Sequence, residues 1–92
     1  MRERVSAERV AEALQELVGW SSTGGEIEKT FEFTAYKDGL VFACAVGYVA
    51  DAMDHHPDMT VGYRRVRVAL STHDAGGITE TDLRAAKRIE SL

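Results

Sequence analysis

Cysteine and proline each occur once in this 92-residue chain, and long apolar runs are missing altogether. With Cys44 alone, no intrachain disulfide can form, and a reducing compartment is the simplest expectation. Cys44 lies in the apolar stretch Leu40 to Ala50, with no neighbouring cation in sequence to favour a thiolate, so it reads as a small buried hydrophobe rather than a nucleophile. That stretch falls well short of the ~20 residues needed to span a bilayer. The charged segment Met1 to Glu8 lacks the apolar core of an export signal. Together these features predict a cytoplasmic protein. A basic surplus is also missing. Eleven Lys and Arg stand against fifteen Asp and Glu, a net charge of −4, which argues against a basic nucleic-acid footprint. The one basic cluster, Arg64-Arg65-Val66-Arg67, splits across two faces of a strand and reads as a solvated surface. Neither Gly24-Gly25 nor Gly76-Gly77 forms a phosphate-binding loop. Ser21, Ser22 and Ser71 carry no nucleophile motif.

What is present suits one small domain over residues 1–92. A chain of this length buries a modest core, so association would help its stability. Ser6 is placed to cap a first helix running to Leu17, with Val5 and Val10 as a hydrophobic staple. Gly19 ends it. Gly24-Gly25 between Trp20–Thr23 and Glu26–Phe33 predicts a hairpin, because tight hairpin turns need positive φ. Ile27, Phe31 and Phe33 share one strand face, and Glu28, Thr30 and Glu32 the other. Ala35 to Met53 is a long helix with two apolar stripes. Phe42, Val46, Val49 and Met53 suit a core face. Val41, Ala45, Tyr48 and Ala52 suit a surface covered by another subunit. Pro57 stops the helix by forcing His56 into extended geometry. Met59–Tyr63 and Arg65–Thr72 read as strands, and the loop His73 to Gly77 leads to a last helix capped by Thr79, with Asp82 in the N3 place. The order α-β-β-α-β-β-α predicts an α+β fold, a four-stranded antiparallel sheet with helices on one face.

All three histidines fall beside element ends: His55 and His56 after the long helix, His73 after the last strand. Asp54 and Asp74 are their neighbours, and Asp51 lies one helical turn upstream. Histidine titrates near neutrality and can both give and take a proton, so a cluster of this kind suits general acid–base work. A zinc site made from His55, His56 and His73 with Asp51 or Asp74 is the competing reading. It is weakened by the absence of a His-x-x-x-His spacing, and by the tendency of adjacent loop residues to point apart.

The segments Ala50-Asp51-Ala52-Met53-Asp54-His55-His56-Pro57-Asp58 and Ser71-Thr72-His73-Asp74-Ala75-Gly76-Gly77-Ile78-Thr79-Glu80-Thr81-Asp82 closely resemble the pterin-4a-carbinolamine dehydratase family. Gly19-Trp20 and Phe31-Glu32-Phe33 agree with the same pattern. The resemblance covers nearly the whole chain. It implies removal of water from a 4a-hydroxytetrahydropterin to give the quinonoid dihydropterin, a step in recycling the cofactor of aromatic amino acid hydroxylases. No metal or redox cofactor is implied. By position, His55 and His73 become the acid–base residues, His56 mainly holds the pterin, and Asp51 takes the place of an orienting carboxylate that is usually glutamate. Asp82 matches an aspartate near the family's pocket, although capping explains it equally well. Asp54, Pro57 and Asp74 belong to the two motifs and flank the histidines. Met59 stands where many members carry Trp or Leu beside the ligand. The resemblance also implies a homodimer or homotetramer, here through the Val41, Ala45, Tyr48, Ala52 stripe or the sheet edges. An alternative role comes with it. Animal members serve as dimerisation cofactors of a transcription factor, and some bacterial relatives act as non-catalytic assembly factors.

Overall fold

Ser6 takes extended backbone (φ −70°, ψ 161°) and its hydroxyl oxygen accepts from the Arg9 amide at 3.1 Å, so the first helix starts where the sequence places its cap. The computed structural model describes residues 3–92. Met1 and Arg2, the start of the charged N-terminal segment, lie outside the described residues. The helices are α1 (Ala7–Leu14), α2 (Tyr36–Ala52) and α3 (Glu80–Glu90), and the strands are β1 (Ser21–Thr23), β2 (Glu26–Glu32), β3 (Asp58–Gly62) and β4 (Arg65–Leu70). A single 3-10 turn, His73–Ala75, sits between β4 and α3. The architecture is α+β in the expected order.

The strands form one antiparallel sheet in the order β1-β2-β4-β3. The β1–β2 hairpin turns on Gly24 (φ 58°) and Gly25 (φ 84°), the left-handed geometry that two adjacent glycines supply without a Cβ penalty. Central β4 pairs Leu70 with Ile27 and Val66 with Phe31 on one side, and Val68 with Met59 on the other. Val66, Val68 and Leu70 are fully buried beneath the helices. On the opposite face, Arg67 donates to Glu28 at 2.8 Å and Glu26 at 2.9 Å. These bonds hold the Glu28 carboxyl below its usual range and the guanidinium above its own. Arg65 is exposed and Arg67 half-buried on this face, whereas Arg64 lies off the strand, in the left-handed turn before β4 (φ 59°).

Three features depart from the sequence expectation. Helix α1 ends at Leu14, and residues 15–19 continue as turns that still bring Leu17 and Trp20 into the core. Along α2 the inward face centres on Val46, but its other buried residues are Gly39 and Ala50, whereas Phe42, Val49 and Met53 are half-buried. A Cβ on Gly39 would sit 3.4 Å from both the Phe33 ring and Val66, so small residues let the helix approach the sheet. Cys44 is exposed rather than buried. It falls on the outward stripe between Val41 (68% exposed) and Tyr48 (82% exposed).

The helix ends are tied together across the molecule. Arg9 reaches from α1 to Glu80 on α3 at 2.7 Å and its hydrogen bond holds that carboxyl below the usual glutamate range. At the other end of α3, Glu90 accepts from the Trp20 indole at 2.8 Å and pairs with Lys29. Among the described residues, no helix is long and apolar enough to cross a membrane.

Candidate active site

The exit of α2 sets the first half of the site. The Asp54 amide donates to the Asp51 carbonyl at 2.9 Å, and the His55 amide donates back to the Ala50 carbonyl at 2.9 Å, with Asp54 in the left-handed region (φ 53°). This is a Schellman closure, in which a left-handed residue reverses the chain and satisfies the last helical carbonyls. It ends the helix at Ala52, before the conformational restriction that Pro57 places on His56 comes into play. His55 and His56 then separate. The His55 side chain turns inward and is 5% exposed, whereas that of His56 remains 67% exposed.

The second half comes from the exit of β4. Thr72 and Gly77 form an isolated bridge, with the Thr72 amide donating to the Gly77 carbonyl at 2.8 Å. Between them the short turn His73–Ala75 carries His73 outward. Gly76 closes it in left-handed geometry (φ 72°). The chain then enters α3 through the capping box of Thr79 and Asp82.

Asp82 joins the two halves. Its side chain is fully buried. Oδ2 accepts from the Thr79 amide at 2.8 Å and from the Thr72 hydroxyl at 2.9 Å, while Oδ1 meets His55 Nε2 in a short hydrogen bond. With Asp82 as a carboxylate, which only accepts, Nε2 is the donor of this bond. Among the described residues, every fully buried side-chain nitrogen and oxygen has a hydrogen-bond partner. His55 Nδ1 has no hydrogen-bond partner among the described residues.

A cavity of about 390 Å³ opens here, lined by Asp54, His55, His56, Ser71, Thr72, His73 and Asp74. All three histidines therefore reach one pocket, together with Asp54 and Asp74. The remaining candidates stand apart from its lining. Asp51 lies outside it and pairs with His56, Oδ1 to Nε2, at 3.1 Å. Asp82 sits behind His55. Pro57 is half-buried, and Met59 packs against the core from β3. Thr72 and Ser71 are lining residues that sequence reasoning did not single out; the signal for Thr72 was its place directly before His73. Among the described residues, no group of three or more His, Cys, Asp or Glu side chains is disposed to hold a metal ion. A larger cavity, about 650 Å³, lies near the start of α1 beside Arg4, Ser6, Ser22 and Gly77. Among the described residues it is lined by no group that titrates near neutrality, so the histidine pocket is the better candidate for proton transfer.

Comparison with known proteins places the chain in a family. The family model described as pterin 4 alpha carbinolamine dehydratase matches residues 3–92. A protein of Sulfurisphaera tokodaii with the provisional name pterin-4-alpha-carbinolamine dehydratase is 44% identical over 89 residues, covering 97% of this chain and 96% of the relative. The crystal structure of a transcriptional coactivator/pterin dehydratase from Brucella melitensis superposes with a TM-score of 0.92 at 31% identity, covering 97% of both chains. A pterin dehydratase-like protein described as a RuBisCO assembly factor of the alpha-carboxysome shares the fold, with a TM-score of 0.63 at 20% identity over 78% of this chain and 83% of its own. The chain belongs to the pterin-4-alpha-carbinolamine dehydratase family, whose name is that of a hydro-lyase.

Proposed function

We propose that the protein removes water from a 4a-hydroxytetrahydropterin, with His55 and His73 moving the protons. The observation that carries this reading is the meeting of three histidines from two separate chain segments in one cavity, one of them anchored by a buried carboxylate. In the reaction the leaving 4a-oxygen gains a proton, the C4a–O bond breaks with its electron pair going to oxygen, and N5 gives up its proton as the C4a=N5 bond forms. Water leaves, and no electrons are gained or lost overall. Such an elimination needs one acid and one base placed on either side of the same two atoms, which two imidazoles can supply near neutral pH.

His56 holds the pterin, with Asp51 orienting its ring through the 3.1 Å hydrogen bond. The pyrimidine edge of a pterin presents N–H donors, so the carboxylates of Asp54 and Asp74 at the cavity are suitable acceptors. The cavity, about 390 Å³, falls within the size range of small-molecule sites. Pro57 and Met59 contribute only indirectly, by setting the start of β3. The test is a dehydration assay with freshly generated 4a-hydroxytetrahydropterin. His55→Ala and His73→Ala should lose roughly 10²–10⁴-fold in rate, and His56→Ala should mainly raise KM. Unchanged rates in all three variants would defeat the assignment.

A second reading is favoured by one observation, the exposed apolar stripe of α2. A protein that serves as an assembly partner would use that face, and its binding would survive loss of the histidines.

A further inference from the structure

We infer that Thr72 is a positioning residue of this site: its single hydroxyl proton, given to Asp82, commits the His55 ring to one tautomer and ties it to the loop that carries His73. The inference rests on the dehydratase reading for its rate measurement but not for its spectroscopic one.

Counting protons makes the argument. Thr72 Oγ1 lies 2.9 Å from Asp82 Oδ2 and 2.8 Å from Thr79 Oγ1, and a hydroxyl has one proton to give. The Thr79 backbone amide is a fixed donor, and it points at Asp82 Oδ2 from 2.8 Å. That oxygen is therefore already an acceptor, and the Thr72 hydroxyl approaches it as a second donor. Thr72 must donate to it, and the Thr79 hydroxyl must then donate to the Thr72 oxygen. Thr79 closes the loop by accepting from the backbone of Asp82 in the capping box. Thr72, Thr79 and Asp82 are each at most 2% exposed, so water cannot replace any member of this set.

The alternative arrangement places a proton on Asp82 Oδ1. Asp82 would then donate to His55 Nε2, and the ring hydrogen would move to Nδ1, away from the carboxylate and into the cavity. Two donors converge on Oδ2 and hold it as an acceptor, which works against this reversal. Nδ1 is thereby left as an open lone pair on the pocket side. The backbone of Thr72 has a further task. Its carbonyl accepts from Ala75 at 3.1 Å and from Gly77 at 3.3 Å, which closes the turn bearing His73. One residue thus fixes the orientation of one acid–base group and the base of the loop holding the other.

The test combines ¹⁵N-histidine NMR with steady-state kinetics on the full chain. In the wild type, at a pH where the imidazoles are neutral, His55 should show a protonated Nε2 and an unprotonated Nδ1. Thr72→Val keeps the shape but removes the proton. It should give a mixture of tautomers at His55 and lower kcat by about 10–100-fold, the usual scale for losing a residue that orients a functional histidine, with little change in KM. Thr72→Ser should restore both. A wild-type His55 protonated on Nδ1 would overturn the inference. So would a Thr72→Val variant with unchanged tautomer and kcat, or a Thr72→Ser variant that behaves like Thr72→Val. If Thr72→Val does not fold, the wild-type spectrum and Thr72→Ser still decide. A wild type without dehydratase activity would end the functional reading, while the tautomer comparison would still decide the positioning role.

Discussion

Asp82 satisfies three donors at once: the His55 ring, the Thr72 hydroxyl and the Thr79 amide. Each of these groups is buried or held at a helix start, so removing the carboxylate leaves them without a partner and without water. A stranded buried donor costs on the order of 1–3 kcal/mol, and the losses here share one cause. Asp82→Ala should therefore destabilise the fold by about 3 kcal/mol, measured as a lower urea midpoint with an unchanged slope. His73→Ala should leave the unfolding free energy within about 0.5 kcal/mol of wild type in the same titration, because an exposed side chain away from packing contributes little. The cap formed by Asp82 was legible in the sequence, since Thr79 and Asp82 stand in a local N-cap/N3 relation. Its bond to His55 was not. Those residues are 27 positions apart, and only the tertiary fold brings the end of α2 against the start of α3.

At the scale of elements, the end of α2 determines where His55 points. A Schellman closure usually places glycine in the left-handed position, but here that residue is Asp54 (φ 53°). The geometry tolerates aspartate and penalises β-branched side chains. Asp54→Val should be less stable than Asp54→Gly by about 1–2 kcal/mol. Both variants lack the carboxylate, so the difference in their denaturation midpoints isolates the backbone. Elements with local signals were legible: the Ser6 cap, the Gly24-Gly25 hairpin, and the alternation of Val66 and Val68 with Arg65 and Arg67. Rotational setting was less so. Helix α2 is apolar over much of its circumference, and such a pattern does not say which stripe meets the sheet. That is why Gly39 and Ala50 proved to be core residues and Cys44 a surface one.

At the scale of the whole molecule, Val41 and Tyr48 remain largely exposed on α2, with Ala52 exposed and Ala45 half-buried beside them. We expect a second copy of the chain to cover this stripe. Sedimentation at micromolar concentration should give at least a dimer, and Val41→Glu with Tyr48→Glu should shift the mass to that of a monomer by burying like charges against each other. A monomeric wild type would count against this arrangement. The shared use of Asp82 has a different consequence, for how variants behave in a cell. Protein level follows the folded fraction, and a loss of one to two kcal/mol changes abundance several-fold. On the role proposed for His73, substitutions at Asp82 will register as scarcity of the protein, whereas substitutions at His73 will leave it plentiful and inert. Any selection that scores growth alone will confuse the two, and measuring abundance beside growth will separate the residue that supports the site from the residue that works in it.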